Sequence, residues 1–151
     1  PISYQTVDVA IVDWSQKRIL LGRKKNESKL RFIGGFVDPT DYSLEVAAKR
    51  EVYEECGVET DTYSYISSFR IDDWRYKNAN DKIMTAFFMC DYIFGSPKSN
   101  DDIHELTWVS FDEIKEEIFE PEYHLLCNSL NQIIADNLHF IFTEASKPFI
   151  L

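Results

Sequence analysis

A chain of 151 residues, of which 44% are apolar and 15% aromatic, is long enough to bury a core and too hydrophobic to be disordered. Its formal net charge of −10 argues against a broad nucleic-acid surface, because such a surface needs a basic patch to displace counterions. The longest apolar runs are far shorter than a membrane span, and no signal segment opens the chain. We therefore expect a soluble, cytoplasmic protein that binds neither nucleic acid nor membranes.

Apolar alternation predicts two strands early in the chain, over residues 7–13 and 18–21, and a short extended segment over residues 31–33. A helix is predicted to begin near Ser43 and to end at Gly57, which has the position of a C-cap.

The second half of the chain continues with strands and ends with helices. Strands are predicted over residues 64–71, 82–94 and 106–111, and helices over residues 111–119 and 123–138, separated by Pro121. No internal repeat, low-complexity tract or long linker interrupts this order. We predict an α+β fold in which residues 1–151 form a single domain.

Three cysteines, Cys56, Cys90 and Cys127, are widely spaced and form no CxxC pair. A disulfide framework or a zinc site is therefore not expected. We interpret the three thiols as small buried apolar groups.

Three carboxylates share one face of the predicted helix, because they are spaced three and four residues apart. Glu51, Glu54 and Glu55 also fall in its last turns, where the helix dipole disfavours negative charge. Acidic pairs near a helix end usually form a solvated face, but this combination of repulsion and dipole favours a site for a hard divalent cation, Mg²⁺ or Mn²⁺. Gly34 and Gly35 allow close approach of the backbone, and the Gly35 carbonyl would add an oxygen ligand.

This segment resembles the signature of the Nudix hydrolase family: a glycine, an acid, a spacer, then Arg-Glu-apolar-x-Glu-Glu-x-Gly-apolar. Residues 50–58 match the second half completely, and Gly35 with Asp41 matches the first half, with Asp in place of the usual Glu. Eight residues separate Asp41 from the second half, one more than is usual, which places an inserted residue around Tyr42. Ile33 stands where a proline is common.

The resemblance implies the Nudix fold, a mixed β-sheet in an α/β/α sandwich, and hydrolysis of a nucleoside diphosphate linked to another group. Metal ions held by the three glutamates would polarise phosphoryl oxygens and activate a water molecule. Arg50 would pair with a loop acid such as Asp41 to hold the turn. The general base in this family is often a carboxylate outside the signature, and one later loop offers Asp101, Asp102 and Glu105.

A basic cluster precedes the two glycines and supplies candidates for phosphate contacts. We select Arg23, at the end of a strand, and Arg31, beside the turn, and interpret Lys24 and its neighbours as a solvated hairpin. Phe36, together with Tyr4, would flank a nucleobase.

The segment over residues 69–76 joins aromatic residues to Arg70 and Arg75, a combination that suits substrate binding as well as it suits packing against the core. It resembles ADP-ribose pyrophosphatase-like members of the family, so ADP-ribose is the favoured substrate. A nucleoside triphosphate-sanitising enzyme is the enzymatic alternative, and a non-catalytic nucleotide-sensing module is the alternative from another class. Retention of all three glutamates favours a catalytic protein over a sensing module. A homodimer is common among relatives of the ADP-ribose type and is possible for this chain.

Overall fold

A computed structural model of the protein describes residues 1–72 and 80–145, with residues 139–145 described by their backbone alone. The strands are β1 (Ser3–Asp13), β2 (Arg18–Lys24), β3 (Ile33–Phe36), β4 (Glu59–Ile71), β5 (Lys82–Phe94) and β6 (Ile103–Ser110). The α-helices are α1 (Leu44–Cys56) and α2 (His124–Ala145), and 3₁₀ turns at Phe111–Glu113, Glu116–Ile118 and Pro121–Tyr123 lie between β6 and α2. No helix in these ranges is long and apolar enough to cross a membrane.

The strands form one mixed sheet in the order β4-β5-β1-β2-β6. β1 pairs with β5 in parallel over residues 3–12. The rest of its pairing is divided between two antiparallel partners, since residues 6–9 pair with β3 and residues 11–13 pair with β2. The two glycines of β3 are thereby held against the middle of the sheet.

Two apolar clusters cover the two faces of this sheet. One contains Phe87 of the sheet and Leu126 of α2, and the other contains Phe88 of the sheet and Val52 of α1. Neighbouring residues of β5 thus point to opposite faces, as the period of a strand requires. A helix on each side of a mixed sheet confirms the predicted α/β/α sandwich.

The signature helix α1 is capped at both ends as the sequence predicts. The Ser43 hydroxyl accepts a hydrogen bond from the Val46 N–H at 3.0 Å, which satisfies one of the free donors of the first turn. At the other end Gly57 takes the left-handed conformation, with φ 68°, and donates to the Val52 carbonyl at 3.4 Å. The two caps fix where the helix starts and stops.

The prediction of a helix over residues 111–119 is wrong. The chain there makes two 3₁₀ turns separated by Ile114 and Lys115, of which Lys115 is extended. Leu30 donates to the carbonyl of Ile118 at 2.9 Å and accepts from Glu120 at 2.9 Å, so these backbone groups are used by a neighbouring segment and not by a helix.

Strand boundaries also differ from the prediction. The extended segment expected over residues 31–33 is displaced to β3, because Gly34 and Gly35 pair with Asp8 and Val7 of β1. The first strand begins earlier than expected, at Ser3, where its pairing with β5 begins.

Candidate active site

A cavity of about 310 Å³ is bounded by α1, by the paired β1 and β3, and by the loop before β6. Nine of the residues selected from the sequence line it: Arg31, Gly35, Phe36, Arg50, Glu51, Glu54, Glu55, Asp101 and Asp102. The acids of the signature and those of the later loop, distant in sequence, therefore meet at one place.

The two glycines bring the backbone of β3 against α1. The N–H of Gly34 donates to Glu55 Oε2 at 3.2 Å. A Cβ atom on Gly35 would lie 2.6 Å from Glu51 Oε1, and one on Gly34 would overlap the carbonyl oxygen of Val7. At Gly34 the backbone leaves no room for a side chain, whereas at Gly35 a side chain would displace the Glu51 carboxylate.

The three glutamates of α1 differ in their exposure to solvent. Glu51 and Glu55 are buried, with 6% and 3% of their surface exposed, whereas the side chain of Glu54 is 43% exposed. Burial, followed by the negative charge of Glu51, raises the pKa of Glu55 to about 8, and burial also raises the pKa of Glu51. A positive charge close to these two carboxylates would favour their ionised forms.

Arg50 supplies part of that charge and holds the site together. Its guanidinium donates to both oxygens of Asp41, at 3.0 and 2.8 Å, which confirms the predicted pairing. It also contacts Glu51 at 3.0 Å and Glu54 at 3.2 Å, and donates to the Phe36 carbonyl at 3.2 Å. One arginine thus joins the loop after β3 to two of the signature acids.

The residue inserted in the signature is accommodated at the surface. Tyr42 is 98% exposed, so the additional length projects into solvent. Asp41 keeps a compact turn with Asp38, whose N–H donates to Asp41 Oδ2 at 2.8 Å. Hydrogen bonding to Arg50 lowers the pKa of Asp41. The insertion leaves the link between the turn and α1 intact.

The loop before β6 is tied to the C-terminal end of α1. Lys98 donates to the carbonyl of Cys56 at 3.0 Å and Asn100 donates to the carbonyl of Glu55 at 3.2 Å. These bonds satisfy helix carbonyls that lack partners within the helix. They also place Asp101 and Asp102 at the cavity wall.

Arg31 lies in the wall of the cavity, but its hydrogen bonds are directed away from α1. The guanidinium donates to the Tyr123 hydroxyl, lies 5.1 Å from the centre of that ring, and pairs with Glu27 at 3.4 Å. Arg31 therefore connects the cavity to the start of α2.

Three of the predicted residues lie away from the cavity lining. Arg23 and Glu105 face each other on β2 and β6 and form an ion pair at 3.1 Å. Arg70 pairs with Asp72 at 3.1 Å and its side chain is 64% exposed. Their predicted roles rest on the sequence alone, and Arg75 lies outside the described residues.

Two charged residues that sequence reasoning did not select line the cavity. Lys24 lines the cavity, whereas its neighbour Arg23 was selected from the sequence as a phosphate contact. Pairing with β6 shifts in register between these two residues, which no local pattern reveals. Asp8 is the second, and a charge inside the apolar run of β1 was the signal that could have identified it.

The chemistry of the side chains suits a hard cation. In the described part of the chain no three acidic, cysteine or histidine side chains converge as in a formed metal site. Arg50 contacts an oxygen of both Glu51 and Glu54. The available ligand atoms are nevertheless carboxylate oxygens, and a divalent cation would favour the ionised forms of the buried Glu51 and Glu55.

Comparisons with known structures agree with this geometry. The Nudix domain of Shewanella oneidensis NrtR, crystallised with ADP ribose, has 17% identity and a TM-score of 0.72, over 89% of this chain and 90% of that one. A MutT Nudix hydrolase from Burkholderia pseudomallei has 21% identity and a TM-score of 0.67, over 84% and 96%. A MutT/Nudix family protein from Enterococcus faecalis has 22% identity and a TM-score of 0.60, over 72% and 44%. At these identities the likeness shows the fold.

No curated protein sequence matches the chain. The profile of the NUDIX domain, in contrast, matches residues 4–128, which include α1, the residues that line the cavity and, apart from Ser3, the six strands described above. This match confirms the resemblance found in the signature. The chain belongs to the Nudix hydrolase family, whose members hydrolyse pyrophosphate linkages and generally use divalent metal ions.

Proposed function

We propose that the protein hydrolyses the pyrophosphate bond of a nucleoside diphosphate linked to another group, with ADP-ribose, giving AMP and ribose 5-phosphate, as the substrate. The observation that carries this proposal is the composition of the cavity wall. Glu51, Glu54 and Glu55 of α1 line the cavity, and so do Lys24 at the end of β2 and Arg31 before β3. Carboxylates that suit a metal cation and cationic side chains that suit phosphate thus line the same cavity.

Glu51, Glu54 and Glu55, together with the Gly35 carbonyl, would hold Mg²⁺ or Mn²⁺. When bound, the metal would polarise phosphoryl oxygens and neutralise charge that develops in the transition state. The chain itself keeps these carboxylates in position, through Arg50 for Glu51 and Glu54 and through the N–H of Gly34 for Glu55.

We infer that Asp101 is the general base that takes a proton from the attacking water. It lines the cavity, and its negative charge contributes to the raised pKa of Glu51, which places it near the signature acids. Glu105, in contrast, is paired with Arg23 outside the cavity lining. Proton transfer needs a base close to the water, and Asp101 lines the cavity whereas Glu105 does not.

The choice of ADP-ribose is supported by two observations. The Shewanella oneidensis domain of similar fold was crystallised with ADP ribose. In this chain Phe36 lines the cavity and packs edge to face on Tyr4, with ring centres 6.1 Å apart, so an aromatic surface is available to a base. We also infer that residues 1–151 act as a single domain, because both apolar clusters pack on the same sheet.

The proposal is tested by product analysis with ADP-ribose, nucleoside triphosphates and Mg²⁺, using mass spectrometry. AMP and ribose 5-phosphate are the expected products, and Glu54→Gln and Glu55→Gln are expected to lower kcat by orders of magnitude. Glu45→Gln is the matched control, because Glu45 is an exposed acid in the first turn of the same helix. If the protein releases pyrophosphate from nucleoside triphosphates and does not hydrolyse ADP-ribose, the triphosphates are its substrates and ADP-ribose is not. Near-normal kcat in both glutamine variants would contradict the assigned site.

A further inference from the structure

A buried carboxylate lies in the cavity wall apart from the signature acids. Asp8 is in the middle of β1, between Val7 and Val9, and only 4% of its surface is exposed. It lines the cavity, and its Oδ2 accepts a hydrogen bond from the Thr85 hydroxyl at 2.6 Å. Among the described residues this is its one side-chain hydrogen bond.

Asp8 forms no ion pair in the described part of the chain. The nearby Arg31 pairs with Glu27 instead. Burial raises the pKa of Asp8 to about 7, so the environment disfavours its charged form. A residue needed only to bond Thr85 could do so without a buried charge, since a neutral polar pair avoids that cost. The carboxylate therefore calls for a further hydrogen-bond donor.

The second oxygen of Asp8 lies beside a glycine. A Cβ atom on Gly34 would lie 2.9 Å from Asp8 Oδ1. The N–H of Gly34 thus donates to Glu55, and the absence of a side chain on Gly34 avoids a clash with Asp8. Glu55 and Asp8 therefore both lie beside Gly34.

The neighbours of Asp8 on the same face of the sheet form a largely apolar floor. Ile71 and Ile83 pair across β4 and β5, are 7% and 4% exposed, and line the cavity. Thr6, two residues before Asp8, lines it as well. The flat ring of a nucleobase can lie on an apolar surface of this kind. The polar edge of that ring then needs a hydrogen-bonding partner beside the apolar surface.

We propose that Asp8 determines base specificity by accepting a hydrogen bond from the exocyclic amino group of the nucleobase. An ionised carboxylate only accepts hydrogen bonds, and a base edge that donates is the partner that favours the ionised form of Asp8. Adenine presents an amino group at the position where hypoxanthine presents a carbonyl. This inference rests on the proposed function, because it takes the substrate to be a nucleoside diphosphate.

The test compares ADP-ribose with its inosine counterpart in the wild type and in Asp8→Asn. We expect the wild type to favour ADP-ribose in kcat/KM by roughly tenfold or more, the size expected when a hydrogen bond to a charged group is lost. Asp8→Asn keeps the size of the side chain but adds donors, so the preference should fall by a similar factor. Unchanged preference in folded Asp8→Asn overturns the proposal.

Asp13→Asn is the matched control. Asp13 is another 4% exposed aspartate of β1, but its partners are Ser15, Gln16 and Arg18 of the β1–β2 hairpin, away from the cavity. The same chemical change there should leave the base preference unaltered. An equal loss of preference in both variants would show that general loosening of β1 is the cause, and would overturn the assignment.

Calorimetric binding of both compounds separates this inference from the proposed function. If the wild type hydrolyses neither compound, the proposed function fails, yet a binding preference for ADP-ribose that disappears in Asp8→Asn still supports the role of Asp8. If Asp8→Asn does not fold, the wild type alone provides the test. Equal affinity for the adenine and hypoxanthine compounds would overturn the proposal.

Discussion

Substitution of the two adjacent glycines of β3 is expected to damage the protein in two different ways. A Cβ atom on Gly35 would meet only side-chain atoms of Glu51 among its three nearest neighbours, at 2.6 to 2.8 Å. A Cβ atom on Gly34 would meet the Val7 carbonyl and the Asp8 Cα, which are backbone atoms of the paired strand. A carboxylate at the end of a side chain can move, whereas a strand in the centre of the sheet cannot.

The magnitudes follow from these contacts. In Gly35→Ala the Glu51 carboxylate must retreat by about 0.8 Å to reach ordinary van der Waals contact near 3.4 Å. The free energy of unfolding should change by about 1 kcal/mol or less, because alanine also restricts the unfolded chain. Displacement of a catalytic group by about 1 Å lowers turnover by roughly 100-fold. In Gly34→Ala overpacking of the sheet should cost about 3 kcal/mol or more.

Two assays distinguish the variants. Urea unfolding monitored by circular dichroism measures stability, and initial rates with the proposed substrate, ADP-ribose, at increasing Mg²⁺ measure turnover and metal affinity. Gly35→Ala should unfold close to the wild type, with kcat reduced by roughly 100-fold and a higher Mg²⁺ concentration at half-maximal rate. A Gly35→Ala protein with normal turnover would refute the argument that Gly35 sets the position of Glu51.

Three further outcomes are expected. Asp13→Asn should lower the free energy of unfolding by about 1 kcal/mol at neutral pH. Burial acts to raise the pKa of Asp13, but hydrogen bonds from Ser15, Arg18 and Gln16 outweigh it, so the pKa is lowered. The stability difference between wild type and Asp13→Asn should therefore vanish as the pH falls through that lowered pKa. A stability difference that stays constant with pH would contradict this. The native thiols should resist labelling by a disulfide reagent until the protein is unfolded, because burial raises the pKa of Cys127 to about 11 and that of Cys90 to about 12; rapid native labelling would show exposure that the structure lacks. Tyr42→Ala should keep kcat and change stability by about 0.5 kcal/mol or less, and a large loss of kcat would show that the inserted residue acts in the site.

Local rules predicted the signature helix well. Its N-cap at Ser43 and C-cap at Gly57 depend on the residue type at each position, and the common face of the three glutamates depends only on helical spacing. The pairing of Arg50 with Asp41 was likewise predicted, from the resemblance to the family signature.

Features that depend on pairing between distant segments were not predicted. β3 contains two glycines, which are poor strand formers, and is a strand because it pairs with β1. Residues 111–119 have apolar residues at helical spacing, yet the carbonyl of Ile118 bonds to the Leu30 N–H of a distant segment. The place of Asp8 at the cavity depends on the register between β1 and β3, which the amino-acid sequence does not state directly.

The bond from the Asn100 N–H to the carbonyl of Glu55 has a mechanical consequence. Glu55 directs its side chain toward the glycines and uses its backbone to hold the loop that carries Asp101. A shift of the end of α1 would therefore carry the acid and the loop in the same direction. The acid proposed to hold the cation and the loop that carries the proposed general base are thus linked through one residue.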